Sequence, residues 1–222
     1  CLEYKIKGVA GLETRDMGYI ITFAQQKGGA GKTTVLAHLA AEWVTAGRSV
    51  AVADLDAQGS LTRWAALRDD PRITNIDTRD YRAGGDLRAA ARSHDYVLVD
   101  CPGAASGLLE SALRESALVV APCQPSAMDG WATEAILDAA ARLMVPTAIL
   151  FNRMPPRMSD LDDIIQALGD ARERLLAARL GNRVAYSKAF HSGRSASEVS
   201  PRSKAASEVS VLRSEIEDLL AA

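Results

Sequence analysis

The chain has 222 residues, 48% of them hydrophobic and 24% charged, with a formal net charge of −2. That length and apolar share suit a single α/β domain with an ample core. A charge so close to balance excludes bulk attraction to nucleic acid or to an anionic membrane, so any such face must be local.

Residues 1–16, "CLEYKIKGVAGLETRD", precede Met17 and read as a leader or upstream remnant, with a partner-binding arm as the alternative; residues 17–222 read as one domain. Tyr19–Ala24 is short, β-rich and bounded by a glycine loop, which predicts a buried strand. From Lys32 to Ala46 the period changes: Val35, Leu36, Leu39, Ala40, Trp43 and Val44 recur at helical spacing, and Gly47 fits a C-terminal stop. Ser49–Asp54 predicts a second strand and Ser60–Arg68 a short helix. Further strands are expected at Asp95–Asp100, Ala117–Pro122 and Thr147–Asn152, with helices at Trp131–Leu143 and Leu161–Leu180 between and after them. "NRVAYS", residues 182–187, reads as one more strand, and a last helix starts just after Pro201 and runs to the end. Continuous apolar strands alternating with helices predict a doubly wound, mainly parallel sheet covered on both faces, in three layers. Ligands of such sheets sit beyond the carboxyl ends of the strands, where Lys27 onward, Asp54, Asp100, Pro122 and Asn152 converge. The three cysteines, Cys1, Cys101 and Cys123, lack C-x-x-C or Cys/His ligand spacing and read as reduced thiols of a cytoplasmic protein. No apolar run approaches the ~18 residues of a spanning helix.

Three motifs carry chemistry. "QQKGGAGKTT" nearly fits the phosphate-binding pattern G-x-x-x-x-G-K-[ST]: Gly31, Lys32 and Thr33 end it, but Gln26 stands where the opening glycine belongs, and a second lysine, Lys27, lies beside it. Gly28, Gly29, Ala30 and Gly31 can curl their backbone N–H groups around phosphate oxygens while the following helix aims its positive end at the same place. Lys32 would meet the β- and γ-phosphates, the Thr33 hydroxyl a Mg²⁺ ion, and Thr34 a further phosphate oxygen. "VADLDAQGS" then places Asp54 and Asp56 two residues apart, a spacing suited to a metal shell and a water-orienting carboxylate, or equally to a turn that caps the next helix. "DYVLVDCPG" ends an apolar strand in Asp100, the form of a Walker B carboxylate that holds Mg²⁺.

Together these residues resemble the deviant-Walker ATPases of the ParA/MinD family. Lys27 to Thr33 match that family's K-G-G-x-G-K-[ST]; Asp54, Asp56 and Gln58 match its D-x-D-x-Q; Asp100 to Pro102 match its D-x-P. The resemblance runs from about Gly18 to the C-terminus and leans toward the compact ParA proteins that partition plasmids or position other cargo. It implies ATP and Mg²⁺ as cofactors and a homodimer in the ATP state, in which Lys27 crosses the interface to the partner's nucleotide while Lys32 serves its own. It also implies Asp56 positioning the attacking water, Asp54 and Asp100 supporting the metal with Thr33, Asn152 reading the adenine edge, and "PCQPSAMDG" lining the nucleotide and the dimer seam. No role follows for Asp129. No arginine in these motifs is placed to act in cis, so basal hydrolysis is expected at roughly 10⁻⁴ to 10⁻³ s⁻¹, raised by a ParB-like partner.

The same resemblance divides by cargo. ParA-type members bind DNA without sequence preference; MinD-type members bind membrane through a basic amphipathic C-terminal helix. The tail here, "VLRSEIEDLLAA", sets one arginine against three acids, which an anionic surface repels. Arg183, Lys188, Arg194, Arg202 and Lys204 face only Glu198 between residues 183 and 204, and they are the expected DNA contacts of a protein found on the nucleoid when ATP-bound. A dimer covering roughly six phosphates would show a log K against log[salt] slope near −5. A MinD-like membrane-cycling role and an ATP-dependent small-molecule ligase of the same fold are the alternatives, and the ligase would have no use for Lys27. An iron-protein reductase would need paired cluster cysteines, which Cys101 and Cys123 do not resemble.

Overall fold

The computed structural model describes residues 17–78, 80–103 and 106–222; the expectation for residues 1–16 falls outside them. Seven strands form one sheet: β1 (Tyr19–Phe23), β2 (Val50–Asp54), β3 (Ile73–Ile76), β4 (Tyr96–Asp100), β5 (Leu118–Cys123), β6 (Thr147–Met154) and β7 (Leu175–Gly181). Their order is β3-β2-β4-β1-β5-β6-β7, and every pairing is parallel. β1 lies centrally because its residues are buried on both sides. Ile21 and Phe23 face one apolar layer, and Ile20 and Ala24 face the other. The first layer is built by α1 (Lys32–Thr45), α2 (Ser60–Arg68), α7 (Val184–Phe190), α8 (Ala196–Val199) and α9 (Lys204–Ala221). The second is built by α3 (Ala83–Ala91), α4 (Gly107–Glu115), α5 (Ala127–Arg142) and α6 (Leu161–Ala167).

Two sequence expectations need correction. The helix expected over Leu161–Leu180 stops at Ala167; a 3₁₀ turn covers Gly169–Arg174 and β7 follows. Gly169 takes φ +56°, which breaks the α period. In the next stretch Leu176, Ala178 and Leu180 point inward at every second residue, a strand period hidden in a Leu/Ala/Arg composition that reads as helix. The strand expected at "NRVAYS" is the start of α7, with Tyr186 and Ala189 buried three residues apart. β3 was not anticipated: it is a four-residue edge strand with only two apolar residues, paired to β2 alone. α5 begins four residues before the expected Trp131, because Ser126 caps it by accepting a bond from Asp129 N–H.

Three of the four acids of α9, Glu208, Glu215 and Glu217, are turned inward, and Asp218 is exposed. Glu215 accepts bonds from the amides of Ala177 and Ala178, both 2.7 Å, and Glu208 accepts one from Gly181 N–H at 3.0 Å. β7 is the last strand of the sheet, so these carboxylates satisfy an edge that would otherwise offer free N–H groups. Glu217 takes the indole N–H of Trp43, whose ring stacks on Tyr96 at 4.3 Å. α9 thereby closes over α1 and β7, burying Val209, Leu212 and Ile216 and leaving Val211 and Leu219 exposed.

Candidate functional site

The phosphate loop connects β1 to α1 at the carboxyl edge of the sheet. Gly29 and Gly31 adopt φ +79° and +90°, conformations open to glycine at little cost. A side chain at Gly31 would also strike Asn152 Nδ2 at 2.4 Å. Asn152 earns its position there. Its Nδ2 donates to Ala30 O at 2.7 Å and its Oδ1 accepts Arg153 N–H at 2.9 Å, so it ties the end of β6 to the loop. α1 has no side-chain cap, and its first amides open toward the loop, ready for an anion. Lys32 is buried and folds its ammonium back to Gln25 O at 3.4 Å.

Lys27 goes elsewhere. Its ammonium lies 2.7 Å from Asp129 Oδ2, in the first turn of α5, and its side chain is 37% exposed while that of Asp129 is 3% exposed. Ser126 Oγ donates to the same Asp129 oxygen, and Asp129 Oδ1 is buried with no partner. The loop's entry is anchored by Gln25, fully buried, whose amide bonds to Gln26 N–H, Pro122 O and Thr133 Oγ1. Neither Gln25 nor Asp129 was assigned a role from the sequence. The pattern S-x-x-D at Ser126–Asp129, a helix-start signature, was the available signal for Asp129.

At the tip of β4, Asp100 is completely buried and accepts a bond from the Thr33 hydroxyl at 2.5 Å, while its Oδ1 has no partner. Burial raises its pKa to about 7 against the pull of Thr33 and Lys32. No cluster of three metal-ligating side chains exists among the described residues. Mg²⁺ is held by one or two protein groups and takes its remaining ligands from phosphate and water. An orphaned carboxylate oxygen beside a hydroxyl fits such an ion. Asp54 has a different occupation: Oδ1 accepts Asp56 N–H at 3.2 Å and Oδ2 accepts Thr62 N–H at 2.9 Å, so it shapes the turn and caps α2, the blander of its two sequence readings. Asp56 is only part-buried and accepts Gln58 N–H at 3.0 Å. Gly103 brings the D-x-P turn against the loop, since a side chain there would sit 3.1 Å from Gln26 O.

With that geometry in place, the relatives are informative. Residues 21–196 match the model of the CobQ/CobB/MinD/ParA nucleotide-binding domain. The chain belongs to the ParA/MinD family. It is 27% identical over 212 residues to the maintenance of carboxysome distribution protein A of Halothiobacillus neapolitanus, covering 89% of this chain and 96% of that protein. It is 28% identical over 186 residues to protein ParA of Rhizobium radiobacter, covering 78% and 83%. Among solved structures, the cell division ATPase MinD of Pyrococcus furiosus superposes with a TM-score of 0.77 at 23% identity over 91% of this chain and all of that one. An ATP complex of Cyanothece McdA gives 0.76 at 16% identity over 91% and 96%. At those identities the superpositions establish the fold. The family membership makes this a nucleotide-binding ATPase domain of the partition and positioning type.

A ParA/MinD domain needs room for a base beside its phosphate loop, and here a cavity of about 340 Å³ opens from Gly31 and Thr34 toward Asn152, Asn182, Arg183 and Tyr186. His38 also lines it; burial lowers its pKa to about 4, so it is neutral. Arg183 must be moved off the expected DNA face: its guanidinium is paired with Glu208, which also takes the Tyr186 hydroxyl at 2.7 Å, and Arg183 and Tyr186 line the cavity. Glu198, counted against the basic patch, is itself occupied by Arg68 through two 2.8 Å bonds. Lys188, Arg194, Arg202 and Lys204 are exposed, and no ion pair among the described residues joins them to an acid. The patch thus loses Arg183 and the opposing charge of Glu198 together.

Proposed function

We propose that this protein is a ParA-type positioning ATPase. It pairs with a second copy of itself when ATP is bound, holds non-specific DNA in that state, and releases it after a slow hydrolysis that a ParB-like partner accelerates. The observation that carries this reading is the second loop lysine. Lys32 serves its own loop, whereas Lys27 reaches away from it to Asp129 on α5. A lysine so placed can exchange that carboxylate for a neighbouring copy's triphosphate through a charge-assisted hydrogen bond. Two such lysines in trans turn a seam of facing phosphates from repelling into bridged.

In this reading Gly28, Gly29, Ala30, Gly31 and Thr34 cradle the phosphates, and Thr33 with Asp100 holds Mg²⁺, which when bound neutralises charge on the transferring phosphoryl group. Asp54 fixes the turn that presents Asp56, and Asp56 orients the attacking water. Lys188, Arg194, Arg202 and Lys204 meet DNA phosphates, so doubling the protein doubles the contacts and pairing alone switches DNA retention. Such a protein works in the cytoplasm and gathers on the nucleoid when ATP-bound. No helix of the described residues is long and apolar enough to cross a membrane. The packing of α9 over α1 and β7 argues against the membrane-cycling alternative, which needs that helix free.

The decisive experiment is sizing with a slowly hydrolysed ATP analogue, with and without DNA, for the parent and Lys27→Gln. The parent doubles its mass and retains DNA only with nucleotide, while Lys27→Gln binds nucleotide and stays single. A Lys27→Gln protein that pairs normally removes the trans assignment.

A further inference from the structure

The residue before the phosphate loop is unusual for its place. Gln25 follows the apolar run of β1 and is fully buried. A buried amide is costly unless its polar atoms are paired, and these are. Nε2 donates to Pro122 O at 3.2 Å and to Thr133 Oγ1 at 2.8 Å; Oε1 accepts Gln26 N–H at 2.8 Å and Lys27 N–H at 3.5 Å. The orientation of the amide is determined by its neighbours. Pro122 offers only a carbonyl, and the single proton of the Thr133 hydroxyl goes to Asp129 O at 2.8 Å. The atom facing both must therefore be the donor, which leaves the amide oxygen toward the loop.

These bonds close a ring. Lys27 N–H meets Gln25, Gln25 meets Thr133, Thr133 meets the carbonyl of Asp129, and the Asp129 carboxylate meets the Lys27 ammonium. Lysine 27 is thus held at its main chain and at its side-chain tip by the same turn of α5. We infer that Gln25 and Thr133 are positioning residues for Lys27. They set where the loop launches that side chain, because they tie the main chain at Lys27 to α5. The inference deepens the proposed pairing and rests on it for its functional consequence. Gln25 touches neither phosphate nor metal in this role, and Lys32 and the helix N-terminus hold nucleotide without it.

The test uses Thr133→Val, which keeps the side-chain volume and deletes the hydroxyl. Three readings are taken: ADP affinity, the pairing constant with a slowly hydrolysed ATP analogue, and the acetylation rate of each lysine by mass spectrometry. ADP affinity should stay within about twofold. Of the two bonds the hydroxyl makes, the one to Gln25 bears on Lys27; its loss costs about fivefold per site, so a pair carrying two altered sites should form about 25-fold more weakly. Lys27 should acetylate several-fold faster, with Lys188 and Lys204 unchanged. Thr133→Ser, which keeps the hydroxyl, should restore pairing and Lys27 labelling to the parent's values. Gln25→Met, of similar length, reads the same way if Thr133→Val does not fold. Unchanged Lys27 labelling with unchanged pairing overturns the inference, as does a fall in ADP affinity that simply tracks lost thermal stability. If the parent itself never pairs, the proposed function fails, and Lys27 labelling still decides whether Gln25 and Thr133 position it.

Discussion

Through His38 this protein should lose stability in acid, while the raised carboxyl of Asp100, common to parent and variant, takes up its proton in the folded state and works the other way. The ring sits in α1, 1% exposed, with Nδ1 2.8 Å from Thr34 O and its edge against Tyr186 at 5.1 Å between centroids. Nδ1 therefore carries the proton, and Nε2 is the bare nitrogen, buried without a partner. Burial lowers the pKa from 6.5 to about 4, although Thr34 O and the Glu198 carboxylate favour the charged form. A base whose folded pKa is depressed binds fewer protons when folded than when unfolded. Its contribution is complete above 6.5 and is lost as the pH falls from 6.5 toward 4. At pH 5 the unfolded imidazole is mostly charged while the folded one is mostly neutral, and the difference in proton binding amounts to about 2 kcal/mol. Urea unfolding at pH 7, 6 and 5 for the parent and His38→Gln measures it. His94 and His191 lie outside the core and are common to both proteins, so they cancel. The variant should start less stable yet lose about 2 kcal/mol less between pH 7 and pH 5. Parallel stability curves would refute the assignment of a neutral, proton-resisting imidazole.

Three further outcomes follow from the same geometry. Asp56→Ala should cut phosphate release by about 10² or more while leaving the paired form intact on sizing columns, and a faster enzyme would contradict its role. Glu215→Ala strips two amides of β7 of a carboxylate and should lower stability by about 2 kcal/mol, seen as a lower urea midpoint at constant slope. If the four exposed cations of the basic segment contact DNA in both copies, log K should fall with log[salt] at a slope of up to about −7, and Arg202→Gln should reduce it by about 2 per dimer.

The parts of the fold legible in the sequence were those where local pattern and burial agree. β1, β2, β4, β5 and β6 are nearly continuous apolar runs because both faces of a parallel sheet are covered, and β2 and β4 end at aspartates on the ligand edge. The errors fell at the sheet's margins. β7 has one open edge and alternates, so its Leu/Ala/Arg content mimicked a helix; β3 is too short to show a period. The phosphate loop was legible because its chemistry is local: glycines, a lysine and a hydroxyl within a few residues. What could not be read was everything that depends on long-range pairing. Arg183 looked like a free cation until α9 brought Glu208 to it, Glu198 looked like an opposing charge until α2 brought Arg68, and the Asp129 partner of Lys27 lies about a hundred residues away in the chain.

The Lys27–Asp129 contact also bears on why pairing should depend on the triphosphate. The lysine does not wait as a free charge. To serve a second copy it must leave a carboxylate whose side chain is 3% exposed and whose Oδ1 already lacks a partner. Only the Ser126 hydroxyl would then attend that buried charge. Breaking a buried pair by withdrawing one partner is costly, because the remaining charge keeps its desolvation penalty. The new bond must therefore exceed the old one, and a γ-phosphate supplies what a diphosphate lacks: further negative charge and acceptor oxygens within the partner's loop. Under the proposed function, a reluctant lysine makes a better timer than a free one. Its cis pair holds the protein single with ADP, and hydrolysis in either copy returns the balance toward Asp129.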